Sequence, residues 1–279
     1  MNNFIKSKLI RLFEKYGFVR KKLVKRSILD KSFNVISGTI TDYVDNDDAW
    51  LFALAGRHKY IFDIGCNIGQ SAILMFYHDT IENMVLVDPN PNALSKAAEN
   101  MILNNLTHKT RFICAFLSEK NGGEIDFYTV GSGAAGSKFQ SFARTAAKTN
   151  SHYKVPTLSV DYLMQQTGII PDLVKIDVEG AENEVLAGAN KLALKQTATF
   201  FVEMHSGEEL SITENTRLIL EWCEKNNYNA YYLKTKAPLT IDSIKTRGRF
   251  HALLLPEKMK FPEYLKSIEE KTAISTFES

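Results

Sequence analysis

From about residue 50 onward, the chain alternates short apolar runs with stretches that carry apolar residues at helical spacing. The clearest runs, each typical of a buried strand, are 60–64, 84–88, 111–115, 173–177 and 199–203. Strands separated by helices require crossover connections, which are right-handed in such sheets. The pattern therefore predicts an α/β fold in which helices cover both faces of a mostly parallel sheet.

Local signals define the ends of several further elements. Asn90 followed by Pro91 is typical of a helix N-terminus. The face that this helix is expected to bury consists of Leu94, Ala97, Ala98, Met101 and Ile102. Other helices are predicted at 71–78, 181–189 and 217–225, a strand at 124–130, and a closing antiparallel pair at 228–233 and 250–255. The Gly- and Ser-rich stretch 131–150 is predicted to be a loop that selects substrate.

The first 49 residues differ from the rest in charge. Residues 1–31 hold ten basic and two acidic side chains, a net charge of +8 against +2 for the whole chain. Apolar residues within 4–16 follow helical spacing. We therefore expect a basic, mainly helical N-terminal extension (1–49) joined to one α/β domain (50–279).

The positive charge of residues 1–31 has three interpretations. The N-terminal helix packs on the main domain, lies on an anionic membrane surface, or attracts an anionic glycan acceptor. Sequence patterns of known nucleic-acid readers are missing, so a nucleic-acid partner is not expected. The oligomeric state has no signal in the sequence.

Composition limits the compartment and the type of site. The chain has 279 residues, of which 44% are hydrophobic and 24% charged, as in ordinary globular proteins. Its cysteines, Cys66, Cys114 and Cys223, are far apart, which argues against a disulfide framework and a zinc–thiolate site. Without an apolar run of about 18 residues or a secretory signal, the expected location is the cytoplasm, peripheral at the inner membrane face if the extension binds lipid.

Acidic residues stand where predicted strands end. Asp63, Asp88, Asp177 and Glu203 each close one of the apolar runs. The carboxyl ends of parallel strands meet at one edge of the sheet, where ligands bind in α/β folds. Buried carboxylates destabilise a protein unless they are paired, so four of them at one edge indicate a functional site.

The loop after the first of these strands indicates the kind of ligand. The segment from Asp63 to Gly69 has glycines at Gly65 and Gly69, a GxxxG spacing, whereas a dinucleotide-binding loop reads GxGxxG. Asn67 occupies the position of the middle glycine, which argues against NAD and suits a ligand with an amino-acid end. Asp88, at the end of the next strand, can accept hydrogen bonds from a ribose diol.

The stretch from Val174 to Glu182, which reads VKIDVEGAE, is the most distinctive in the chain. Together with five other segments it resembles the FkbM family of methyltransferases over about residues 50–256. Those segments are IFDIGCNIGQ (61–70), LVDPNPNAL (86–94), AFLSEKNGGEIDFY (115–128), VPTLSVDYL (155–163) and FVEMH (201–205). Asp88 departs from the family, which more often has Glu there, but either carboxylate can reach a ribose.

The resemblance implies a class I methyltransferase fold, Rossmann-like, with a seven-stranded sheet. It also implies S-adenosylmethionine as cofactor and methyl transfer to a hydroxyl of a sugar, glycan or other small molecule. By position, the implied cofactor-binding residues are Asp63, Gly65, Asn67 and Gly69 at the methionine end, Asp88 at the ribose, Cys114, Ala115 and Phe116 at the adenine, and Asp177 near the reacting centre.

A hydroxyl is a poor nucleophile until its proton leaves, so the reaction needs a base close to the acceptor. His205 is the leading candidate, beside Asp177 and Glu203, and its alternative role is to anchor a loop. A second mechanism has Asp177, Glu203 and a third oxygen hold Mg²⁺, which would acidify the hydroxyl. Glu179 and Glu182 are assigned to substrate binding, and the alternative for Glu182 is interaction with a helix N-terminus.

Two other functions compete with the methyltransferase. A catalytically inactive, methyltransferase-like scaffold would keep the first loop, but its DVEGAE segment should be damaged, and here that segment is intact. An NAD-dependent oxidoreductase is disfavoured by Asn67 and the GxxxG spacing. The sequence therefore favours an O-methyltransferase.

Overall fold

The computed structural model describes residues 22–40, 47–129, 136–138, 151–244 and 248–274. Its strands are β1 (Leu23–Ile28), β2 (Lys31–Ile36), β3 (Tyr60–Ile64), β4 (Asn83–Val87), β5 (Thr110–Ile113), β6 (Phe116–Leu117), β7 (Glu124–Tyr128), β8 (His152–Leu158), β9 (Leu173–Ile176), β10 (Thr199–His205), β11 (Tyr228–Tyr232), β12 (Ala237–Pro238) and β13 (Arg249–Pro256). The predicted strands are confirmed, with ends shifted by a few residues.

The helices occupy the connections between strands. They are α1 (Asp48–Ala55), α2 (Gln70–Met75), α3 (Pro91–Leu103), α4 (Val160–Thr167), α5 (Glu182–Ala187), α6 (Asn190–Ala193), α7 (Ile212–Asn226) and α8 (Ile241–Ile244), with 3₁₀ turns at Thr107–Lys109 and Glu263–Leu265. Within the described ranges, every helix is too short or too polar to cross a bilayer.

The central sheet has the order β12-β11-β13-β10-β9-β3-β4-β5. The strands from β10 to β5 pair in parallel, and β13 inserts antiparallel between β10 and β11. This is the expected class I methyltransferase fold, a mostly parallel Rossmann-like sheet. The two-residue β12 makes eight strands rather than the seven expected.

Two hydrophobic cores lie on the two faces of the sheet. The neighbouring residues Phe200 and Phe201 of β10 point to opposite faces, as successive strand residues do. Phe200 packs with Trp222 of α7 on one side, and Phe201 belongs to the core that contains Trp50 of α1 on the other. Helices therefore cover both faces, and the ligand-binding edge is left at the ends of the parallel strands.

Helix α3 begins as predicted, because the Asn90 side chain accepts hydrogen bonds from the backbone N–H groups of Asn92 and Ala93. Its predicted buried face is partly wrong. Leu94, Ala97 and Met101 are buried and Ala98 is partly buried, but Ile102 is 62% exposed. The position turned inward instead is Asn100, which is fully buried.

The N-terminal extension is not mainly helical where it is described. Residues 22–40 contain the antiparallel hairpin β1–β2, and Phe33 and Val35 of β2 are buried in the same core as Trp50. Phe33 and Val35 flank Asn34, and such alternation is the period of a strand. The helix predicted within 4–16 and most of the loop predicted at 131–150 lie outside the described residues.

Asn100 joins the hairpin to the domain. Its side-chain oxygen accepts a hydrogen bond from the Ile36 backbone N–H at 2.9 Å. Its amide nitrogen donates to the Thr39 hydroxyl at 2.9 Å and to the carbonyl of Ile68 at 3.0 Å. Because Ile68 belongs to the loop that follows β3, one buried amide holds the hairpin and that loop together.

We predict that Asn100→Ala lowers the free energy of unfolding by about 2–4 kcal/mol, because it leaves several buried polar groups without partners. Urea denaturation is the measurement. The matched control is Asn104→Ala: this partly exposed residue directly follows the same helix and makes two hydrogen bonds to the backbone of Asn34. Water can replace those bonds, so the control should lose about 1 kcal/mol. Equal losses would show that Asn100 does not act as a buried clamp.

Candidate active site

A cavity opens at the carboxyl ends of β3, β4 and β9. The space inside it, counted together with its opening to solvent, is about 600 Å³. Its wall consists of Ile64, Gly65, Asn67, Val87, Asp88, Pro89, Asn90, Ala115, Phe116, Leu117, Phe127, Gly136, Asp177, Val178 and Glu179. Seven residues assigned from the sequence line it: Gly65, Asn67, Asp88, Ala115, Phe116, Asp177 and Glu179.

The small sheet β6-β8-β7 stands beside this cavity and supplies part of its wall. Phe116 of β6 and Phe127 of β7 are buried in one cluster with Val155 of β8. The short segment 136–138 lies against the same cluster, because Gly136 lines the cavity and Ser137 bridges to Tyr128. This sheet therefore forms a wall opposite the ends of the parallel strands, and we call it the side sheet.

The glycine loop is shaped by protein neighbours as much as by any ligand. Gly65 has φ +80°, and a Cβ there would lie 1.8 Å from the carbonyl oxygen of Asp177. An L side chain is therefore excluded both by the left-handed backbone and by the carbonyl of Asp177, which directly follows the neighbouring strand β9. Asn67 also has a positive φ, of 48°. Its side-chain oxygen is buried and has no hydrogen-bond partner among the described residues.

Asp88 is held by the backbone on both sides. One carboxylate oxygen accepts from the Asn67 N–H at 2.8 Å, and the other accepts from the Asn90 N–H at 2.8 Å. Burial raises the pKa of Asp88 to about 6, although these hydrogen bonds work in the opposite direction. The carboxylate is fixed at the cavity wall, and each oxygen keeps a lone pair for a further donor.

Lys175 is a central residue that the sequence analysis did not single out. Its side chain is 5% exposed, and its ammonium lies 3.3 Å from Asp63 and 3.4 Å from Asp177. Burial alone would lower the pKa of Lys175, but these carboxylates hold it above its ordinary value. The signal was present in VKID, since a lysine inside an apolar run needs a buried partner.

His205 lies behind the cavity wall, oriented by a buried carboxylate. Its Nδ1 is 2.9 Å from Glu182, whose other oxygen accepts a hydrogen bond from Asn215 at 2.7 Å. Its Nε2 is 3.8 Å from Asp177 and 3.7 Å from Glu179. Burial would lower the pKa of His205, but the hydrogen bonds to Glu182 and Glu203 and the nearby carboxylates raise it to about 11.

The pKa of His205 disfavours the expectation that this residue is the base. A histidine with a pKa of about 11 is an imidazolium near neutral pH and cannot accept a proton. The alternative in the sequence analysis, an anchoring role, agrees better with its burial among four carboxylates.

Glu203 is surrounded by cations. Its carboxylate lies 2.8 Å from Arg249, 3.5 Å from His205 and 3.6 Å from His251. Burial would raise the pKa of Glu203, but the two neighbouring histidines, His205 and His251, keep it well below its ordinary range. Glu203 therefore stays ionised and binds together the strands β10 and β13, which carry all four residues.

Glu179 presents a carboxylate on the wall itself. Its backbone has φ +52°, which is uncommon for a residue with a side chain, and its carbonyl accepts a hydrogen bond from the buried Ser137 hydroxyl at 2.9 Å. Burial raises the pKa of Glu179, with opposition from His205. Strained backbone that surrounding contacts enforce is common at functional sites.

Four residues assigned from the sequence lie outside the cavity wall. Asp63 is fully buried against Lys175 and the Ser71 hydroxyl, and Gly69 packs on Ala97, so both support the loop from behind the wall. Cys114 is exposed next to Pro89 and is not among the wall residues. Glu182 is fully buried, with its oxygens bonded to Gly180, His205 and Asn215, so it cannot contact a substrate.

The cavity fits the ligand that the loop suggests. In the same wall as Asp177 and Glu179, the partnerless Asn67 oxygen can accept a hydrogen bond from an amino group. The Asp88 carboxylate, which the Asn67 N–H holds in place, can accept from a diol. For a divalent cation, Asp177, Glu203 and His205 offer ligand atoms within 4.8 Å of one another, as do Asp47, Glu203 and His251.

Comparison with known sequences assigns the domain. The sequence profile of the Methyltransferase FkbM domain matches residues 63–230, more than half of the chain. The chain belongs to the FkbM methyltransferase family. The matched range runs from the glycine loop through the VKIDVEGAE segment and β10 to β11.

Two curated proteins share this region. The hexuronic acid methyltransferase AglP of Haloferax volcanii is 29% identical over 154 residues, 55% of this chain and 59% of that protein. The 2-O-methyltransferase NoeI of Sinorhizobium fredii is 28% identical over 163 residues, 54% of this chain and 64% of that protein. The matches thus span about three fifths of each relative. A solved FkbM methyltransferase from Methylobacillus flagellatus KT aligns with a TM-score of 0.45 at 14% identity, over 70% of this chain and 43% of that one.

We predict that Lys175→Met lowers the free energy of unfolding by about 3–5 kcal/mol at pH 7, because Asp63 loses its buried cation. In the variant, the buried carboxylates take up protons on folding, so the loss should shrink as the pH falls towards 4. Urea denaturation at several pH values measures this.

The control is Lys59→Met, which removes an ion pair with Glu82 that is exposed on both sides. This variant should change stability little at any pH. A loss at Lys175 that is small, or that does not depend on pH, would contradict the role of Lys175 as a counterion.

Proposed function

We propose that this protein is an S-adenosylmethionine-dependent O-methyltransferase that acts on a hydroxyl of a sugar or glycan. The observation that carries the proposal is the cavity at the carboxyl edge of the sheet. There the partnerless Asn67 oxygen and the backbone-held Asp88 carboxylate sit in one wall with the carboxylates of Asp177 and Glu179. Family membership makes methyl transfer the reaction to test first.

The residues divide between cofactor and acceptor. Asn67 and Asp177 would hold the amino-acid end of the cofactor, Asp88 its ribose, and Ala115 and Phe116 its adenine. S-adenosylmethionine supplies a methyl group activated by the sulfonium, so the protein's main contribution is alignment of the acceptor oxygen. A bond forms between that oxygen and the methyl carbon, the carbon–sulfur bond breaks, and the hydroxyl proton passes to a base.

Glu179 is the base in this proposal. It lies on the wall, whereas His205 lies behind it and holds a proton near neutral pH. A raised pKa makes a carboxylate a stronger base, and burial raises the pKa of Glu179. His205 would then be a positioning residue, which keeps the turn at Glu179 in place and limits the negative charge of the centre.

A sugar is the acceptor class that the wall and the relatives support. Carboxylates accept hydrogen bonds from neighbouring hydroxyls, and Asp177 and Glu179 provide two at the reaction centre. The names of the two relatives, a hexuronic acid methyltransferase and a 2-O-methyltransferase, point to the same chemistry. A methyl-transfer assay with labelled cofactor on fractionated glycans, followed by identification of the labelled product, would name the acceptor.

A metal-assisted mechanism is the second candidate. The ligand atoms of Asp177, Glu203 and His205 are close enough to share a Mg²⁺ ion, which would lower the pKa of a bound hydroxyl. Arg249 at 2.8 Å from Glu203 competes for the same carboxylate, so we favour the metal-free route. Activity that EDTA abolishes and Mg²⁺ restores would reverse this preference.

We predict that Asp88→Asn weakens binding of S-adenosylhomocysteine by about 10–100-fold, because hydrogen bonds to a charged acceptor contribute about 1.5–3 kcal/mol. Since the ionised carboxylate is the acceptor and its pKa is about 6, wild-type affinity should be constant above pH 7 and fall below pH 6, levelling off once the loss reaches about 10–100-fold. Isothermal titration calorimetry measures both effects.

In the Asp88→Asn variant, the decline of affinity below pH 6 should disappear. The control is Asp126→Asn, a partly exposed carboxylate on β7 that pairs with Lys154. If the wild-type affinity for S-adenosylhomocysteine does not change between pH 5 and 7, the Asp88 carboxylate does not contact the ligand.

We predict that Glu179→Gln lowers kcat by about 10²–10⁴-fold, the usual contribution of a general base, while binding of S-adenosylhomocysteine is kept. Because the base must be ionised, the wild-type rate should fall as the pH falls through the raised pKa of Glu179, and the variant should lose this limb. Initial rates across pH measure it.

His205→Gln is the comparison variant. If it alone removed the acid limb while Glu179→Gln kept the wild-type rate, His205 would be the base, as the sequence first suggested. Under our assignment, His205→Gln lowers the rate but leaves a limb that depends on Glu179.

A further inference from the structure

The buried hydroxyl of one tyrosine in the side sheet, Tyr153, is not explained by the fold. Tyr153 lies on β8 directly opposite Phe127 of β7, and the two rings are 6.1 Å apart between centroids. Its hydroxyl is buried and has no hydrogen-bond partner among the described residues. Leaving such a group unpaired destabilises a protein by about 1–3 kcal/mol, so the hydroxyl needs a reason.

Tyr153 is not itself a wall residue of the ligand cavity, but it packs directly behind residues that are. Phe127 lines that cavity, and Tyr153 packs with Phe127 and Phe116 in one aromatic cluster. Along β8 the side chains alternate: Val155 is buried on the same face as Tyr153, while His152 and Lys154 are exposed on the other. The phenol therefore points towards the domain and not to bulk solvent.

Hydrogen bonds connect the start of the Tyr153 strand to the turn that carries Asp88. The Asn90 amide donates to the Thr129 hydroxyl at 3.4 Å, and the Thr129 N–H donates to the carbonyl of Ser151 at 3.1 Å. Ser151 lies two residues before Tyr153, so the side sheet contacts the turn that carries Asp88 close to this tyrosine. In agreement, burial raises the pKa of Tyr153, and the charges of Asp88 and Cys114 raise it further.

We propose that Tyr153 is a further cofactor-binding residue, whose hydroxyl donates a hydrogen bond to the nucleoside part of S-adenosylmethionine, across the cavity from Asp88. A neutral phenol is a good donor, and both the purine ring nitrogens and the ribose oxygens are acceptors. Asp88 accepts from the nucleoside and Tyr153 donates to it, so the pair recognises two different groups. The inference rests on the proposed function.

The chain offers a matched control in Tyr228. This tyrosine is also buried and burial raises its pKa, but its hydroxyl already donates to the carbonyl of Ala198 at 3.0 Å. It lies on β11, near the opposite end of the strand order from β4 and Asp88. A tyrosine-to-phenylalanine change removes the phenolic oxygen at either site. At Tyr153 that oxygen has no hydrogen-bond partner among the described residues, whereas at Tyr228 it has one.

The test compares Tyr153→Phe and Tyr228→Phe in the full chain, with S-adenosylhomocysteine as the probe. Calorimetry should show about a tenfold weaker affinity for Tyr153→Phe and unchanged affinity for Tyr228→Phe. Without ligand, the Tm of Tyr153→Phe should equal or exceed that of the wild type, because an unpaired buried hydroxyl is removed. The Tm of Tyr228→Phe should fall.

A second probe, 5′-methylthioadenosine, contains the nucleoside but lacks the amino-acid end. Tyr153→Phe should weaken its binding by the same factor. Loss for S-adenosylhomocysteine without loss for this probe would place the hydroxyl at the amino-acid end and overturn the inference.

Other outcomes separate the inference from the proposed function. If the wild type binds S-adenosylhomocysteine and Tyr153→Phe binds it equally well, the phenol only packs, and the inference alone fails. A lowered Tm for Tyr153→Phe would reveal a structural partner and also overturn it. If the wild type binds neither probe, both the inference and the proposed function fail.

Discussion

The structure depends on pairing buried charge at one edge of the sheet. Asp63, Glu182 and Glu203 are almost completely buried, and an isolated carboxylate in such surroundings would be strongly destabilising. The sheet register supplies one counterion, because Lys175 of β9 lies directly beside Asp63 of β3. His205 and Arg249, which face each other across β10 and β13, supply the others. Strand pairing and charge pairing therefore specify the same arrangement.

This pairing creates two layers of residues with different tasks. In the wall, Asn67, Asp88, Asp177 and Glu179 keep polar atoms at the cavity. Behind it, Lys175 pairs with Asp63 and Asp177, and His205 pairs with Glu182, so that these residues hold the wall in place. Preorganised sites need such support, because a misplaced group loses much of its effect. The backing residues should therefore influence catalysis without contacting the acceptor.

The sequence predicted the parallel strands well, because each is a short apolar run and four of the five have a carboxylate at or next to their end. The prediction failed where the spacing of apolar residues did not distinguish a strand from a helix. The hairpin at 23–36 is short and basic, and only Phe33 and Val35 show the alternation of a strand. The helical spacing of apolar residues at 4–16 is the stronger signal, and it favours a helical extension. Tertiary contacts also override helix patterns: on α3, Asn100 turns inward to pair with Ile36 and Ile68, and Ile102 turns outward.

The roles within the acidic motif could not be read from spacing at all. Glu179 and Glu182 are three residues apart, yet one lines the cavity and the other is fully buried. The difference arises at Glu179 and Gly180, whose positive φ values of 52° and 100° reverse the chain before α5 begins. Nothing in a pattern of acidic residues signals that a non-glycine position will adopt a left-handed backbone.

The left-handed turn also connects the side sheet to the reaction centre. Ser137, which bridges to Tyr128 of β7, donates to the carbonyl of Glu179 and so helps to hold the strained conformation. Tyr153, on the strand paired with β7, packs against Phe127 of the cavity wall. The turn at Glu179 and the strand of Tyr153 are therefore joined through β7, by the bridge from Ser137 to Tyr128 on one side and by the pairing of β7 with β8 on the other.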